Sequence, residues 1–169
     1  MDDIRYELVE IRTTSPVLFT DAGAAPRLVA RAELYRPAEG VAPPYPAVVV
    51  SDARGELKEE RLRPYARHLA EHGHAVLVVD SYAARRLGGT PQLQRLAAVT
   101  EAMMMADAFA AQAALAARDD IAPERIHHLG FAAGGLTALL SAFDQMRRTF
   151  GADGRPAFAS HAAFYGSQA

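Results

Sequence analysis

Apolar residues recur along the chain in patterns that predict strands of two kinds. Tyr6 to Ile11 and Leu28 to Tyr35 alternate apolar and polar positions, which predicts two half-buried strands separated by turn residues. Ala47 to Val50 and Ala75 to Asp80 are instead continuous apolar runs rich in valine, and Arg125 to Leu129 is predicted to be a third buried strand. Such runs are typical of strands buried on both faces of a parallel sheet.

Segments with helical spacing separate these strands. The spacing predicts helices over Glu59 to His72, about Leu93 to Arg118, and Leu136 to Arg147, and it predicts a last strand over Ala157 to Tyr165. The longest helix contains three successive methionines, which cannot share one helix face. We therefore expect them to fill gaps in the core rather than to form a special site; they are Met103, Met104 and Met105.

The alternation of strands and helices predicts an α/β fold. We expect a mostly parallel sheet flanked by helices and joined by right-handed crossovers. The first two strands, joined by a short connection, should be antiparallel at one edge of the sheet. The chain of 169 residues contains no repeat or low-complexity linker, so residues 1–169 are expected to form a single domain.

Composition narrows the classes of partner. The net charge is −2 with 22% charged residues, so neither a nucleic acid nor a membrane is expected as a partner. The sequence contains no run of about 18 apolar residues, so no transmembrane helix is expected. The acidic start Met1-Asp2-Asp3 is unlike a secretory signal. The absence of cysteine excludes disulfides and thiolate chemistry. We expect a cytoplasmic protein with no cofactor and no metal.

The most informative segment is Gly130-Phe131-Ala132-Ala133-Gly134-Gly135, between a predicted strand and a predicted helix. Glycines stand two residues before and two residues after Ala132, which is the spacing of the nucleophile elbow, G-x-S-x-G. A side chain at either glycine would strike the neighbouring strand or helix. The alternatives are a glycine-rich turn without catalytic ancestry or a phosphate-binding loop, although neither the Rossmann nor the Walker spacing is present.

Four segments in this order carry a resemblance to a known family: Pro46 to Gly55, Leu69 to Tyr82, Asp120 to Ile126 leading into Gly130 to Gly135, and Phe158 to Tyr165. Together they resemble the dienelactone hydrolase family of the α/β-hydrolases, over nearly the whole chain from Leu28 onward. The resemblance implies the fold of the N-terminal two-thirds of that family. It also implies the family's activity, the hydrolysis of a small ester or lactone.

The resemblance places the nucleophile at Ala132, whose methyl group has no proton to lose and no lone pair. This side chain therefore cannot form an acyl-enzyme, and we expect the chain to be catalytically impaired. The resemblance also implies an oxyanion hole made by the backbone N–H groups of Ala133 and Ala53, which survive any change of side chain.

Three further positions match the family less closely. Asp52 falls where some members carry an acidic residue beside the nucleophile, and the alternative is a loop carboxylate in an Asp-Ala-Arg-Gly turn. Arg85 and Arg86 lie near an arginine that binds the substrate carboxylate in the family, and the alternative is a solvated surface pair.

The resemblance places the catalytic acid and histidine after later strands, beyond residue 169. None of the histidines present is predicted to serve Ala132. His72 and His74 are expected to cap the end of the first helix, and the pair His68 and His72 has no third ligand for a metal. His127 and His128 should point to opposite sides of a strand, and a sixth histidine, His161, lies inside the last predicted strand.

Three explanations stay open at this stage. The chain is a fragment of a longer hydrolase, a pseudo-hydrolase that binds a small ester, lactone or carboxylate without turnover, or a structural remnant completed by another chain. A sheet that ends at Tyr165 would leave its last strand as an exposed edge, and such an edge invites pairing with a second copy. We therefore expect self-association.

Overall fold

The computed structural model describes residues 6–52, 62–85, 87, 91, 94 and 97–165. Within these ranges a single mixed sheet has the strand order β1-β2-β4-β3-β5-β6. The strands β1 and β2 pair antiparallel, as do β2 and β4, whereas the remaining neighbours are parallel. This confirms the predicted mostly parallel sheet with an antiparallel edge. The strands are β1 (Tyr6–Thr14), β2 (Arg27–Tyr35), β3 (Tyr45–Asp52), β4 (Ala75–Asp80), β5 (Ile121–Phe131) and β6 (His161–Phe164).

Helices cover both faces of the sheet. They are α1 (Leu62–Glu71), α2 (Glu101–Ala116), α3 (Ala133–Leu140) and α4 (Asp144–Thr149), with short 3-10 turns at Phe19–Asp21 and Ala83–Arg85. Alternate residues of the central strands point to opposite faces: Val48 and Val76 pack in the cluster that contains α1, whereas Val49 and Leu77 pack with α2. In the described ranges, no helix is both long and apolar enough to cross a membrane.

The long helix predicted from about Leu93 is interrupted: Gln94, Ala97 and Ala98 are helical, and α2 begins after a break, at Glu101. Thr100 has an extended backbone, and its Oγ1 accepts a hydrogen bond from the Met103 N–H, so it caps the helix and ends any continuous helix before it. The three successive methionines are all buried, as predicted. The helix can bury all of them because it is apolar on nearly all sides and lies in the core.

The predicted helix over Leu136 to Arg147 is two helices. The first, α3, ends at Leu140, because the hydroxyl of Ser141 donates to the Ala138 carbonyl at 2.8 Å and Phe143 adopts an extended conformation. The last strand is also shorter than predicted. Phe158 lies before β6 and is buried against Phe109, with ring centroids 5.9 Å apart.

Candidate active site

The turn between β5 and α3 has an unusual backbone at Ala132, with φ 53° and ψ −122°. L-residues rarely adopt this conformation, because the Cβ atom crowds the backbone. A Cβ atom on Gly130 would lie 2.7 Å from the Gly135 nitrogen and even closer to the Gly134 carbonyl. The first flanking glycine is therefore required by the close contact of backbone with backbone.

The second flanking glycine permits contact with the neighbouring strand. A Cβ atom on Gly134 would lie 2.9 Å from the Asp52 nitrogen and closer still to the Ser51 carbonyl. This confirms that side chains at both flanking positions would strike neighbouring elements. The start of α3 therefore lies against the carboxyl end of β3. Two positions singled out from the sequence, the turn at Ala132 and Asp52, are neighbours for this reason.

Hydrogen bonds hold the turn in place. The Ala132 N–H donates to the Phe164 carbonyl of β6 at 2.9 Å, and the Ala132 carbonyl accepts from the Gly135 N–H at 2.8 Å. The Ala133 N–H is at the first position of α3 and has no acceptor among the described residues. Free N–H groups at a helix start attract a partial negative charge.

Asp52 is the last residue of β3, pairs in register with Phe131, and is 8% exposed. It is therefore a buried strand residue next to the turn after β5, and the other residues of the Asp-Ala-Arg-Gly segment lie outside the described residues. Ala53, the expected source of the second oxyanion N–H, lies outside the described residues.

The side chain of Arg85 is only 7% exposed, and its interpretation as half of a solvated surface pair is wrong. Its guanidinium lies 2.8 Å from the Asp107 carboxylate, and the two side chains are 7% and 1% exposed. The same guanidinium donates to the Thr14 carbonyl, while Asp107 also accepts a hydrogen bond from Thr13. Burial raises the pKa of Asp107, and the charge of Arg85 opposes that effect. Arg86 lies outside the described residues.

Two apolar groups that the sequence did not reveal flank the turn. Tyr82, which follows β4, is buried in an apolar cluster with Val99, Met103 and Met104. Ala133 packs against this cluster. On the other side, Phe131 stacks on Phe164 with ring centroids 5.5 Å apart and contacts Tyr65 at 5.2 Å. Apolar surface beside a turn suits a ligand with a hydrocarbon body.

His128 is a buried structural residue. Its Nδ1 lies 2.8 Å from the Ser141 hydroxyl, and its Nε2 lies 3.0 Å from the Ser51 hydroxyl. Because Ser141 donates to the Ala138 carbonyl, it accepts from Nδ1–H, which leaves Nε2 to accept from Ser51. Burial lowers the pKa of His128 to about 3, so its ring is neutral.

Two other histidine predictions are confirmed. His127 points to the opposite side of β5 from His128, with its Nδ1 2.9 Å from the Ser160 hydroxyl. Of the two histidines expected to cap α1, His72 lies at its end with its Nδ1 2.8 Å from the His68 carbonyl, whereas the Nδ1 of His74 is buried without a hydrogen-bond partner among the described residues. These hydrogen bonds do not orient the ring of His127 or of His72 toward Ala132.

The strand order and the strained turn after β5 define the α/β-hydrolase fold, and solved structures agree. A predicted dienelactone hydrolase from Klebsiella pneumoniae matches with a TM-score of 0.61 and 20% identity, over 96% of this chain and 62% of that one. A dienelactone-hydrolase-like promiscuous phosphotriesterase from metagenomic libraries matches with a TM-score of 0.54 and 20% identity, over 96% and 82%. An α/β-hydrolase from a Penicillium species matches with a TM-score of 0.55 and 19% identity, over 83% of this chain and 43% of that one.

The model of the dienelactone hydrolase family matches residues 31–168. This chain belongs to the dienelactone hydrolase family. No curated protein matches it significantly. The chain spans 62% of the length of the Klebsiella structure and 43% of the Penicillium structure.

Proposed function

We propose that this chain is a dienelactone-hydrolase-like protein that holds the carbonyl group of a small ester or lactone but does not cleave it. The observation that carries the proposal is the turn at Ala132. Its backbone has the strained conformation of a nucleophile elbow, yet the residue there bears only a methyl group. The turn thus retains the shape that positions a nucleophile and lacks the nucleophile itself.

The chemistry that remains is electrostatic. The unpaired N–H of Ala133 is placed to donate to a carbonyl oxygen, with Ala53 as the proposed second donor. A serine or cysteine at position 132 would attack the carbonyl carbon, and the negative charge would develop on that oxygen. Loss of the nucleophile alone lowers the rate by about a million-fold. This chain should therefore show no useful hydrolysis.

The main alternative to binding is a purely structural role. Binding is favoured by the retained strain at Ala132, since such a backbone costs on the order of 1–3 kcal/mol. A turn with a structural role alone would gain stability by relaxing. Strain of this kind persists where the surrounding structure holds a site in one arrangement.

The first experiment restores a nucleophile. Ala132→Cys is incubated with p-nitrophenyl acetate, and transfer of one acetyl group is followed by intact mass. Ala24→Cys, in the exposed turn before β2, is the matched control. We expect acetylation of Ala132→Cys to be at least ~10-fold faster, because a helix start lowers a thiol pKa and the N–H donors stabilise the oxyanion. Equal rates in the two variants would contradict the proposal.

A second experiment separates binding from a structural role. The unmodified chain is titrated with γ-butyrolactone while backbone amide shifts are recorded. We expect saturable shifts in the segment Gly130 to Gly135 and none at Gly154, which lies in an open turn. If no amide in that segment responds, the structural role is the better account.

A further inference from the structure

A cavity of ≈ 600 Å³ lies between the β1–β2 hairpin and α2, and it shares no lining residue with the Ala132 turn. Its size is within the range of about 300–1,000 Å³ that is usual for small-molecule sites. The space exists because α2 presents small side chains to it, while Phe150 and Arg155 line it from the segment after α4. The small residues are Ala106, Ala110 and Ala113.

One wall of this cavity is aromatic. Phe109 of α2 and Phe150 contact each other with ring centroids 5.9 Å apart and planes tilted by 34°. Leu28 and Val29 extend the apolar lining along β2. Such a wall suits a flat apolar body, because rings pack at centroid distances of about 4.5–7 Å.

The charged residues that line the cavity all have the same sign. They are Arg12, Arg27 and Arg155, and among the described residues no aspartate or glutamate lines it with them. None of the three guanidiniums has an ion-pair partner in the part of the chain that the structure describes. The Nε of Arg155 is buried and has no hydrogen-bond partner there. A buried unpaired donor is costly, and a ligand that accepts from it recovers that cost.

Two other described arginines whose side chains are little exposed are paired. Arg63 lies 2.7 Å from the Glu33 carboxylate, and Arg85 lies 2.8 Å from Asp107. Arg155 thus differs from them in carrying a buried donor without a partner.

The geometry points to a binding site for a small aromatic monocarboxylate in this cavity. A guanidinium fits a planar carboxylate with two parallel hydrogen bonds. The ring of the ligand would lie against Phe109 and Phe150. Glu10 lines the adjoining hollow of ≈ 510 Å³, so a second carboxylate at that end would be repelled. This inference does not depend on the proposed function, because it concerns a different part of the molecule.

The test uses the full chain and benzoate, with benzamide as the neutral analogue and acetate as the analogue without a ring. Binding is measured by titration calorimetry and located by amide shifts. We expect benzoate to bind at least ~10-fold more tightly than either analogue. Shifts should appear at Phe150 and Arg155. Equal binding of benzamide, shifts confined to the segment Gly130 to Gly135, or no binding of benzoate would each overturn the inference.

Variants test the arginine directly. Arg155→Gln should weaken benzoate binding at least ~10-fold, because it removes a charge-assisted donor. Arg148→Gln, at an exposed position of α4 outside the cavity, is the matched control and should bind as the unmodified chain does. Should Arg155→Gln fail to fold, Arg27→Gln replaces it, since Arg27 is exposed and its loss should weaken binding measurably. Unchanged benzoate binding by Arg155→Gln, or by Arg27→Gln where that variant replaces it, contradicts the site.

Discussion

Gly130 and Gly134 are in backbone contact across the turn that follows β5. A Cβ atom built on Gly130 would overlap the Gly134 carbonyl group, and neither partner is a side chain that could move aside. The contact sets how closely α3 begins beside β5, and therefore where the Ala133 N–H lies.

This contact predicts that Gly130→Ala destabilises the protein by at least ~3 kcal/mol, because the overlap can be relieved only by moving backbone. Urea unfolding measures the effect. Gly154→Ala is the matched control: no atom lies within 4 Å of the position that its new Cβ would occupy, and a change within about 0.5 kcal/mol is expected. A loss below about 1 kcal/mol for Gly130→Ala would mean that the two elements are further apart.

A second prediction concerns the strain at Ala132. Glycine adopts positive φ without a steric cost, so Ala132→Gly should raise the free energy of unfolding by about 1 kcal/mol, despite the greater freedom of glycine in the unfolded chain. Ala114→Gly, at an exposed position of α2, should lower it by about 1 kcal/mol. Both substitutions replace alanine with glycine. Changes of opposite sign in the free energy of unfolding would therefore be due to the backbone conformation at the two positions. If Ala132→Gly also destabilises, the turn is not strained.

The turn could be predicted from the sequence because the spacing of its two glycines is visible in the chain. Gly130 is required by a contact within the turn, whereas Gly134 is required by a contact with the end of β3. The partner of Arg85 could not be predicted, because Asp107 is 22 residues away and only the packing of α2 against the sheet brings them together. The helix break at Ser141 was missed for a similar reason, since that hydroxyl bonds to His128 on a neighbouring strand.

A third prediction follows from the buried pair of Arg85 and Asp107. Replacing either partner alone, as in Arg85→Met or Asp107→Asn, should cost about 3–5 kcal/mol, because it leaves the other group buried without its partner. The double variant should be more stable than the sum of the two single losses predicts. For comparison, Arg36→Ala removes an exposed arginine that pairs with Glu7, and it should cost at most about 1 kcal/mol. Additive losses in chemical unfolding would show that the two buried groups do not interact.

A fourth prediction concerns acid. The pKa of His128 is about 3 in the folded chain against an ordinary value of 6.5, so only the unfolded chain takes up this proton between the two values. The contribution of His128 to the free energy of unfolding is therefore fully present above pH 6.5. It is lost as the pH falls toward 3, by up to ~1.4 kcal/mol per pH unit. His128→Gln keeps a donor and an acceptor but does not titrate. Its stability measured by urea unfolding from about pH 7 to about pH 5 should fall less steeply, and parallel profiles would contradict the assignment.

The last prediction is that the chain associates through β6. Within the described residues, β6 pairs on one side only, with β5. His128 N–H donates to the Ser160 carbonyl, and Ala132 N–H donates to the Phe164 carbonyl. Since the backbone groups of successive strand residues point to alternate sides, the N–H of Ala163 points away from β5.

An unpaired edge of this kind can pair with a second copy. Sedimentation at micromolar concentration should therefore show a species heavier than the monomer. Ala163→Pro removes the outward N–H without removing a bond to β5, so it should shift the equilibrium toward the monomer. Ala42→Pro, in the exposed loop before β3, provides a control for the proline itself. A single monomeric species for the unmodified chain would exclude this association, and an unchanged distribution for Ala163→Pro would place the interface elsewhere.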